Sequence, residues 1–419
     1  RLSYGSLGNQ QIGYYDFIQT ITTKGSMSDY SFDGTVLGQH ATVSDPVSGD
    51  QTWEKVVSKN LGLDLNMFNN RLSLTTDFYI RDTKGILGKG KSLPSIYGAS
   101  EPQMNANNLR TKGYELVLGW RDSFKLAGST FSYGITGTFS DYTAEYTKCD
   151  NPTGLIGDPY VGKKYGEIWG YKVDGLFRND KEAAEYASRI DLSTVASGYY
   201  TATGAYGKGV RGGDIKYLDL NGDNIVNGGK GTLDDPGDRR VIGNSSPRYQ
   251  YGASLNFSWY GFDVSVFMQG IGRLDWYPGA DNLRFWGPYC RPYATFVPKN
   301  FMSQVWSEEN PDAYFPRARA YTSLNSNSGT AYYTNDRYLQ NLAYCRLKNL
   351  TIGYTIPRRL TSKVGIKECR IYFSGENLAT WSALKSDFLD PEQAAADSDK
   401  KANVYPWCKT YSIGLNLTF

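Results

Sequence analysis

The chain has 419 residues, a formal net charge of +3 and 40% apolar residues, fewer than the ~45–50% usual in soluble domains. Aromatic residues run the other way, at 15%, with 34 Tyr, 18 Phe and 9 Trp; Tyr and Trp pair an apolar body with a polar tip and suit a boundary between hydrocarbon and water. No Lys/Arg run marks a nucleic-acid surface, and no stretch approaches the ~18 consecutive apolar residues of a membrane helix, so only alternating strands would carry this chain across a bilayer.

In chain order, Arg1-Leu2-Ser3-Tyr4-Gly5 reads as strand from its first residue, with no export signal before it; a signal, or a longer protein, is expected upstream. Leu61, Leu63, Leu65 and Met67 then alternate with Gly62, Asp64 and Asn66. Leu72, Leu74, Phe78 and Ile80 oppose Ser73, Thr75, Asp77 and Arg81, and Tyr114, Leu116, Leu118 and Trp120 oppose Glu115, Gly119 and Arg121. Lys181 to Ala187 is rich in helix formers and predicts a short helix inside a long connection. Tyr251, Ala253, Leu255, Phe257 and Trp259 alternate with Gly252, Ser254, Asn256 and Ser258, and Leu350, Ile352, Tyr354 and Ile356 with Asn349, Thr351, Gly353 and Thr355. The last segment sets Tyr411, Ile413, Leu415, Leu417 and Phe419 against Thr410, Ser412, Gly414, Asn416 and Thr418. Residues two apart share one face of a strand, so each segment has one apolar and one small or polar face.

A soluble β-sandwich alternates too. Two features favour an all-β fold of another kind, an antiparallel transmembrane β-barrel. Aromatics end the apolar stripes at Trp120, Trp259 and Phe419, where an interfacial girdle would lie. Short turns at 68–70, 259–261 and 361–366 also alternate with long insertions at about 88–111, 149–248, 272–336 and 380–403, the organisation of an outer-membrane barrel rather than a soluble domain. About ten strands result, with Phe419 closing the last. Loops of this size suit a larger barrel, and lipid tolerates no open sheet edge, so upstream strands of the same barrel are expected as a partner.

The chemistry-bearing patterns are few. Asp219, Asn221 and Asp223 stand at positions 1, 3 and 5 of a calcium-loop pattern, with the Ile225 carbonyl at 7 and Asn227 at 9. Position 12 is Lys230, which cannot ligate; Asp234, Asp235 or Asp238 would have to close the site after the glycine-rich stretch that begins at Gly228. Calcium or magnesium is the expected ion, with an Asn/Asp/Gly turn lacking metal as the alternative. His40 is the single histidine, so His-metal clusters and most triads are excluded. No paired acids mark a hydrolase, and Gly207 to Gly213 lacks the strand-loop-helix context of a phosphate loop. The five cysteines have no metal spacing. Of the loop aromatics (Trp169, Tyr171, Trp276, Tyr277, Phe285, Trp286, Tyr289, Tyr293), most are expected to pack the loops; Trp169, Tyr171, Trp286 and Tyr289 are the candidates to stack on cargo.

Taken in order, several segments resemble the C-terminal half of SusC-like TonB-dependent transporters: Ser3 to Asn9, Gly62-Leu63-Asp64, Asn69 to Leu74, Lys112 to Leu116, Gly213 to Tyr217 with the 219–223 acidic run, Val241 to Asn244, Glu309-Asn310-Pro311, Pro316-Arg317-Ala318, Leu347 to Leu350 and Gly375 to Leu378. The resemblance spans nearly the whole chain. It implies a barrel of about 22 strands filled by an N-terminal plug, capped by a SusD-like surface lipoprotein and energised through the TonB complex, importing oligosaccharide or peptide across the outer membrane of a Gram-negative bacterium. It also implies Asp219, Asn221, Asp223 and Asp238 as the ion ligands, with an insertion from about Gly228 to Gly237 before Asp238, and Phe419 as the signal for barrel assembly. On this reading residues 1–419 are the C-terminal part of one barrel domain, without its plug and first strands. An adhesin or structural barrel, and a barrel hydrolase, are the competing functions.

Overall fold

One sheet of ten strands holds the alternating segments: β1 (Leu2–Asn9), β2 (Glu54–Met67), β3 (Leu72–Lys89), β4 (Gln103–Leu126), β5 (Ser129–Lys148), β6 (Arg248–Trp259), β7 (Phe262–Arg273), β8 (Tyr344–Thr355), β9 (Glu368–Ser382) and β10 (Thr410–Thr418), of which β5, β7 and β9 carry none of the alternating segments named above. Their spatial order is their chain order, and the pairs with described register are antiparallel. This is the meander of an up-and-down barrel wall. The computed structural model describes residues 1–9, 18–24, 31–32, 35–36, 40–49, 51–90, 93–201, 209–290, 297, 299–319, 324, 329–386, 388–395 and 407–419.

Two compact units are defined. The first comprises Arg1–Gly62, Phe78–Gly113 and Tyr142–Lys164. In it β1 pairs with β2 from Leu2↔Leu61 to Asn9↔Glu54. Gly85 takes a positive φ within β3, and Asn105 and Asn108 fasten this irregular residue by bonds to its carbonyl and N–H. The strands here outrun the sequence-based expectation of a loop over 88–111. β3 and β4 have 18 and 24 residues, where ~9–11 span a bilayer. The Gln103 to Asn108 stretch is strand without an apolar stripe, which is why alternation did not reveal it: a ladder in water needs no apolar face.

The second unit comprises Leu63–Asp77, Tyr114–Asp141 and Tyr165–Phe419. Its register puts Leu255 beside Ile135 and Val266, Ile352 beside Val264 and Phe373, and Leu415 beside Ile371. One face therefore carries a continuous apolar surface, and its side chains are bare: Leu255, Phe257, Ile352, Ile371, Ile413, Leu415 and Leu417 are all exposed, Ile413 at 84%. Apolar surface on this scale needs lipid or another protein against it. Rings cluster at the short-turn ends of the strands, with Phe68 6.1 Å from Trp120, Phe124 5.3 Å from Phe131 and Phe262 4.6 Å from Tyr354. Their polar tips are satisfied: Trp120 Nε1 donates to Tyr133 Oη and Trp259 Nε1 to the Leu126 carbonyl. A second cluster joins Tyr114, Phe139 and Tyr249. Phe131 and Phe139 lie on one face of β5, about 26 Å apart along a strand rising ~3.3 Å per residue. At a tilt of ~40° that is a band roughly 20 Å tall, close to the ~25 Å of outer-membrane barrels.

The opposite face carries Asn256, Ser258, Asp263, Ser265, Arg370 and Ser374. Arg370 reaches Asp263 across Gly353 of the intervening strand, its Nε 2.9 Å from Oδ1. A Cβ on Gly353 would stand 2.5 Å from both charged groups, so glycine is what lets the ion pair cross. The short turns fall where expected. Phe68, Asn69 and Asn70, and Tyr260 with Gly261, take positive φ, as primed hairpin turns require. Ala127 and Gly128 make a further turn of this kind between β4 and β5.

The buried apolar core lies in the long connections, not on the sheet. It runs from Tyr171 through Phe177, Leu192, Tyr217, Phe285, Trp286, Tyr289, Phe301 and Phe315 to Tyr338.

Candidate functional site

The connections after β5 and β7 build a packed cap. Short ladders frame it: Glu167–Tyr171 with Arg239–Asn244, Val173–Leu176 with Ile215–Tyr217, and Asp275–Trp276 with Gln340–Asn341. The expected helix is α1 (Asp180–Ala187), opened by Asn179, whose side chain accepts from Glu182 N. Gly212 fits against this cap, its N–H donating to Asp180 Oδ1, where a Cβ would meet the Asn179 backbone at 2.7 Å. The glycine run thus serves close backbone approach; Gly207 lies outside the described residues.

Two of the four cargo-binding candidates are corrected by the packing. Trp286 is fully buried and Tyr289 is 2% exposed. Trp286 crosses Tyr338 at 5.0 Å, and Tyr289 stacks on Phe315 at 5.9 Å and donates to the Pro316 carbonyl. Their faces are occupied by other rings, so neither stacks on a ligand in this arrangement. Tyr171 is mostly spent in the same way, edge-on to Tyr217 and Tyr333, and burial pushes its phenol up to about 12. Trp169 is half-buried, its Nε1 donating to Glu167 Oε1 at 2.7 Å. Tyr293 lies outside the described residues.

The acidic loop is held by its own oxygens. Asp219 accepts from the N–H groups of Gly222 and Asn224, and Asn221 from Asp223 N. Asp223 accepts from Ile225 N and from Asn221 Nδ2. Asp238, completely buried, accepts from Leu220, Asn221 and Asn227 N–H groups, and so ties the far end of the insertion back to its start. Among the described residues no three His, Cys, Asp or Glu side chains come together as metal ligands. The fit to a cation is partial: each bonded carboxylate oxygen keeps a lone pair, and Asn224 takes the left-handed conformation such a loop needs at its sixth position.

Two charged nodes escaped sequence reasoning. Asp214 and Arg319 form a buried bidentate pair, 2.6 and 3.0 Å, with 1% and 3% side-chain exposure. Arg319 also lies 4.1 Å over the Tyr199 ring, and Arg211 N donates to Asp214. Burial pushes the Asp214 carboxyl up to about 6, and Arg319 pulls it back only partly. The second node is Arg346 in β8, which donates to Asp390, Glu392 and Thr380, with Lys348 also on Glu392. It fixes the connection after β9 onto the sheet. The period-two pair Arg346 and Lys348, matched by Asp390 and Glu392, was a visible signal. Nothing in the sequence joined Asp214 to a residue 105 positions away. His40 opens the short strand His40–Val43 opposite Lys24.

A meander with a bare apolar face, ringed by aromatics and topped by packed loops, defines a section of a transmembrane β-barrel. No family model matches the chain. Its relatives are TonB-dependent receptors: it is 25% identical over its whole length to TonB-dependent receptor P3 of Formosa agariphila, covering 39% of that protein, and 22% identical to TonB-dependent receptor SusC of Bacteroides thetaiotaomicron, covering 37%. Among solved structures it is similar to the RagAB peptide transporter, with TM-score 0.68 and 21% identity over all of this chain and 40% of that one. The chain thus spans about two fifths of the length of the relatives it matches, and along all of it resembles the barrel of a SusC-like TonB-dependent receptor.

Proposed function

We propose that this chain is the barrel section of a TonB-dependent importer in the outer membrane of a Gram-negative bacterium, taking up a bulky nutrient, oligosaccharide or peptide. The observation that carries the reading is the bare apolar face of β6–β10 beside a loop cap with its own core. That division of labour suits a wall in lipid and a cap in water. The names of its relatives, which are receptors and a peptide transporter, agree with it. In this proposal residues 1–419 belong to one barrel domain. Upstream strands close the barrel, a plug fills it, a SusD-like lipoprotein lids it, and the TonB complex moves the plug. The 219–238 loop holds calcium or magnesium as a structural ion, and Phe419 serves as the assembly signal, its removal lowering the yield of folded barrel.

Uptake by cells expressing the full-length protein with its lid lipoprotein tests this. Accumulation of cargo that stops on tonB deletion or on collapse of the proton gradient supports import. Uptake indifferent to both, or surface binding alone, refutes it in favour of a passive or adhesive barrel.

A further inference from the structure

A cleft of ≈ 340 Å³ opens in the cap between Trp169, Tyr171 and Tyr333 on one side and the glycine run Gly228–Gly231 on the other, with Arg239 and Lys230 also in its wall. Its chemistry is one-sided: among the described residues three aromatic rings, two cations and no carboxylate line it. Of the acids around it, Asp238 has both oxygens engaged by backbone N–H groups, and Glu167 accepts from Trp169 Nε1. Asp235 Oδ1 lies against Gly229, 2.2 Å from where a Cβ would stand.

Arg239 is prepared for an anion. Its guanidinium rests on Gly228, where a Cβ would meet Nε at 3.0 Å, and its Nη2 donates to the Gly228 carbonyl at 2.7 Å. Its Nε is buried and meets no acceptor among the described residues. That atom is closed off from solvent, so it is the cleft-lining remainder of the guanidinium, with the Lys230 ammonium, that meets a ligand. Gly229 and Gly231, both at positive φ, carry the insertion around this group.

The walls favour a ring over an extended peptide. Peptides add to sheets through free backbone edges, and the Glu167–Tyr171 strand has none at the cleft. It pairs with Arg239–Asn244 on one side, while Tyr171 exchanges bonds with Thr334 and Asp336 on the other. The volume is at the small end of ligand pockets, about 300–1,000 Å³, enough for one or two sugar rings.

We propose that this cleft binds an acidic sugar unit of the cargo, its carboxylate or sulfate on Arg239 and its ring against Trp169. The proposal rests on the import reading above and names the substrate class.

The test is binding to the intact receptor, purified with its upstream segment, of four probes: tri-galacturonate, neutral galactotriose, a sulfated neutral trisaccharide and triglutamate. Tri-galacturonate or the sulfated sugar is expected to bind at least tenfold more tightly than galactotriose, and which of the two does so identifies the anion. Arg239→Gln should lose that preference about tenfold or more, leave galactotriose unaffected, and Trp169→Phe should abolish the ligand-induced fluorescence change. Should Arg239→Gln perturb the loop, Lys230→Gln on the exposed rim should still weaken acidic sugars about threefold, and the wild-type preference should shrink with salt. Equal binding of the neutral sugar, unchanged affinity in both variants, or triglutamate binding as tightly through the Trp169 signal would overturn the proposal. Each of those results leaves energised uptake intact in cells, whereas failure of the import reading abolishes TonB-dependent uptake whatever the cleft binds.

Discussion

The buried Asp214–Arg319 pair gives a test whose sign is set by burial. The folded carboxyl titrates at about 6, raised from 3.8. A carboxyl with a raised folded value binds its proton more tightly in the folded cap than in the unfolded chain. Its contribution to stability is therefore full below pH ~4 and lost as pH rises to 6. At ~1.4 kcal/mol per unit, the cap loses about 3 kcal/mol between pH 4 and pH 7 through this group. Asp214→Asn fixes the neutral form, so it should remove that fall with pH, at the pH-independent cost of taking this carboxylate from the buried Arg319 guanidinium. Arg319→Met removes the largest of the groups that hold the ionised form, leaving the Arg211 N–H and the Arg317 charge. Its folded carboxyl should titrate higher still, and the loss should continue above pH 6 toward the ~3–5 kcal/mol of a broken buried pair. Hydrogen exchange of the Ile215 and Tyr217 amides, corrected for intrinsic rates across pH 4 to 8, reads this directly. A parent profile flat in pH, a fall that persists in Asp214→Asn, or identical profiles for parent and Arg319→Met would refute the reasoning.

Other outcomes follow from the same geometry. Gly353→Ala should part Arg370 from Asp263, since its Cβ falls 2.5 Å from each, and cost ~1–3 kcal/mol as overpacking; an unchanged unfolding temperature of the detergent-solubilised barrel contradicts it. Leu415→Arg, on the exposed apolar face, should cost ~2–4 kcal/mol in a bilayer, while Ser412→Arg on the other face, opposite the uncharged Ser374, is tolerated; equal yields of heat-modifiable barrel from the two would contradict that. If the acidic loop holds calcium or magnesium, a chelator should lower amide protection over residues 219–238 and the ion should restore it. Protection indifferent to both leaves the loop to its own Asx turns.

The wall was legible in the sequence because its signal is local. Period two reports which face a residue takes without knowing its neighbour, so seven strands could be placed, with β5, β7 and β9 entering only through the count of about ten, and the Asn69 and Gly261 turns announced themselves by residue type. The limit of β3 and β4 was not legible, because above the bilayer nothing selects for an apolar stripe. The cap was readable only in composition. Its aromatics signalled packing, but whether Trp169 or Trp286 kept a free face depends on contacts such as Trp286 with Tyr338, 52 positions apart. The same holds for Arg239, whose place beside Gly228 is set by the return of the insertion through Asp238.

The central claim is that one face of this sheet lies in lipid. Single fluorophores along β10 of the full-length protein, reconstituted in vesicles with brominated acyl chains, test it most directly. Quenching should alternate, strong at Ile413, Leu415 and Leu417 and weak at Ser412, Gly414 and Asn416. Quenching that is uniform along the strand, or absent at Ile413 and Leu415, would contradict the account.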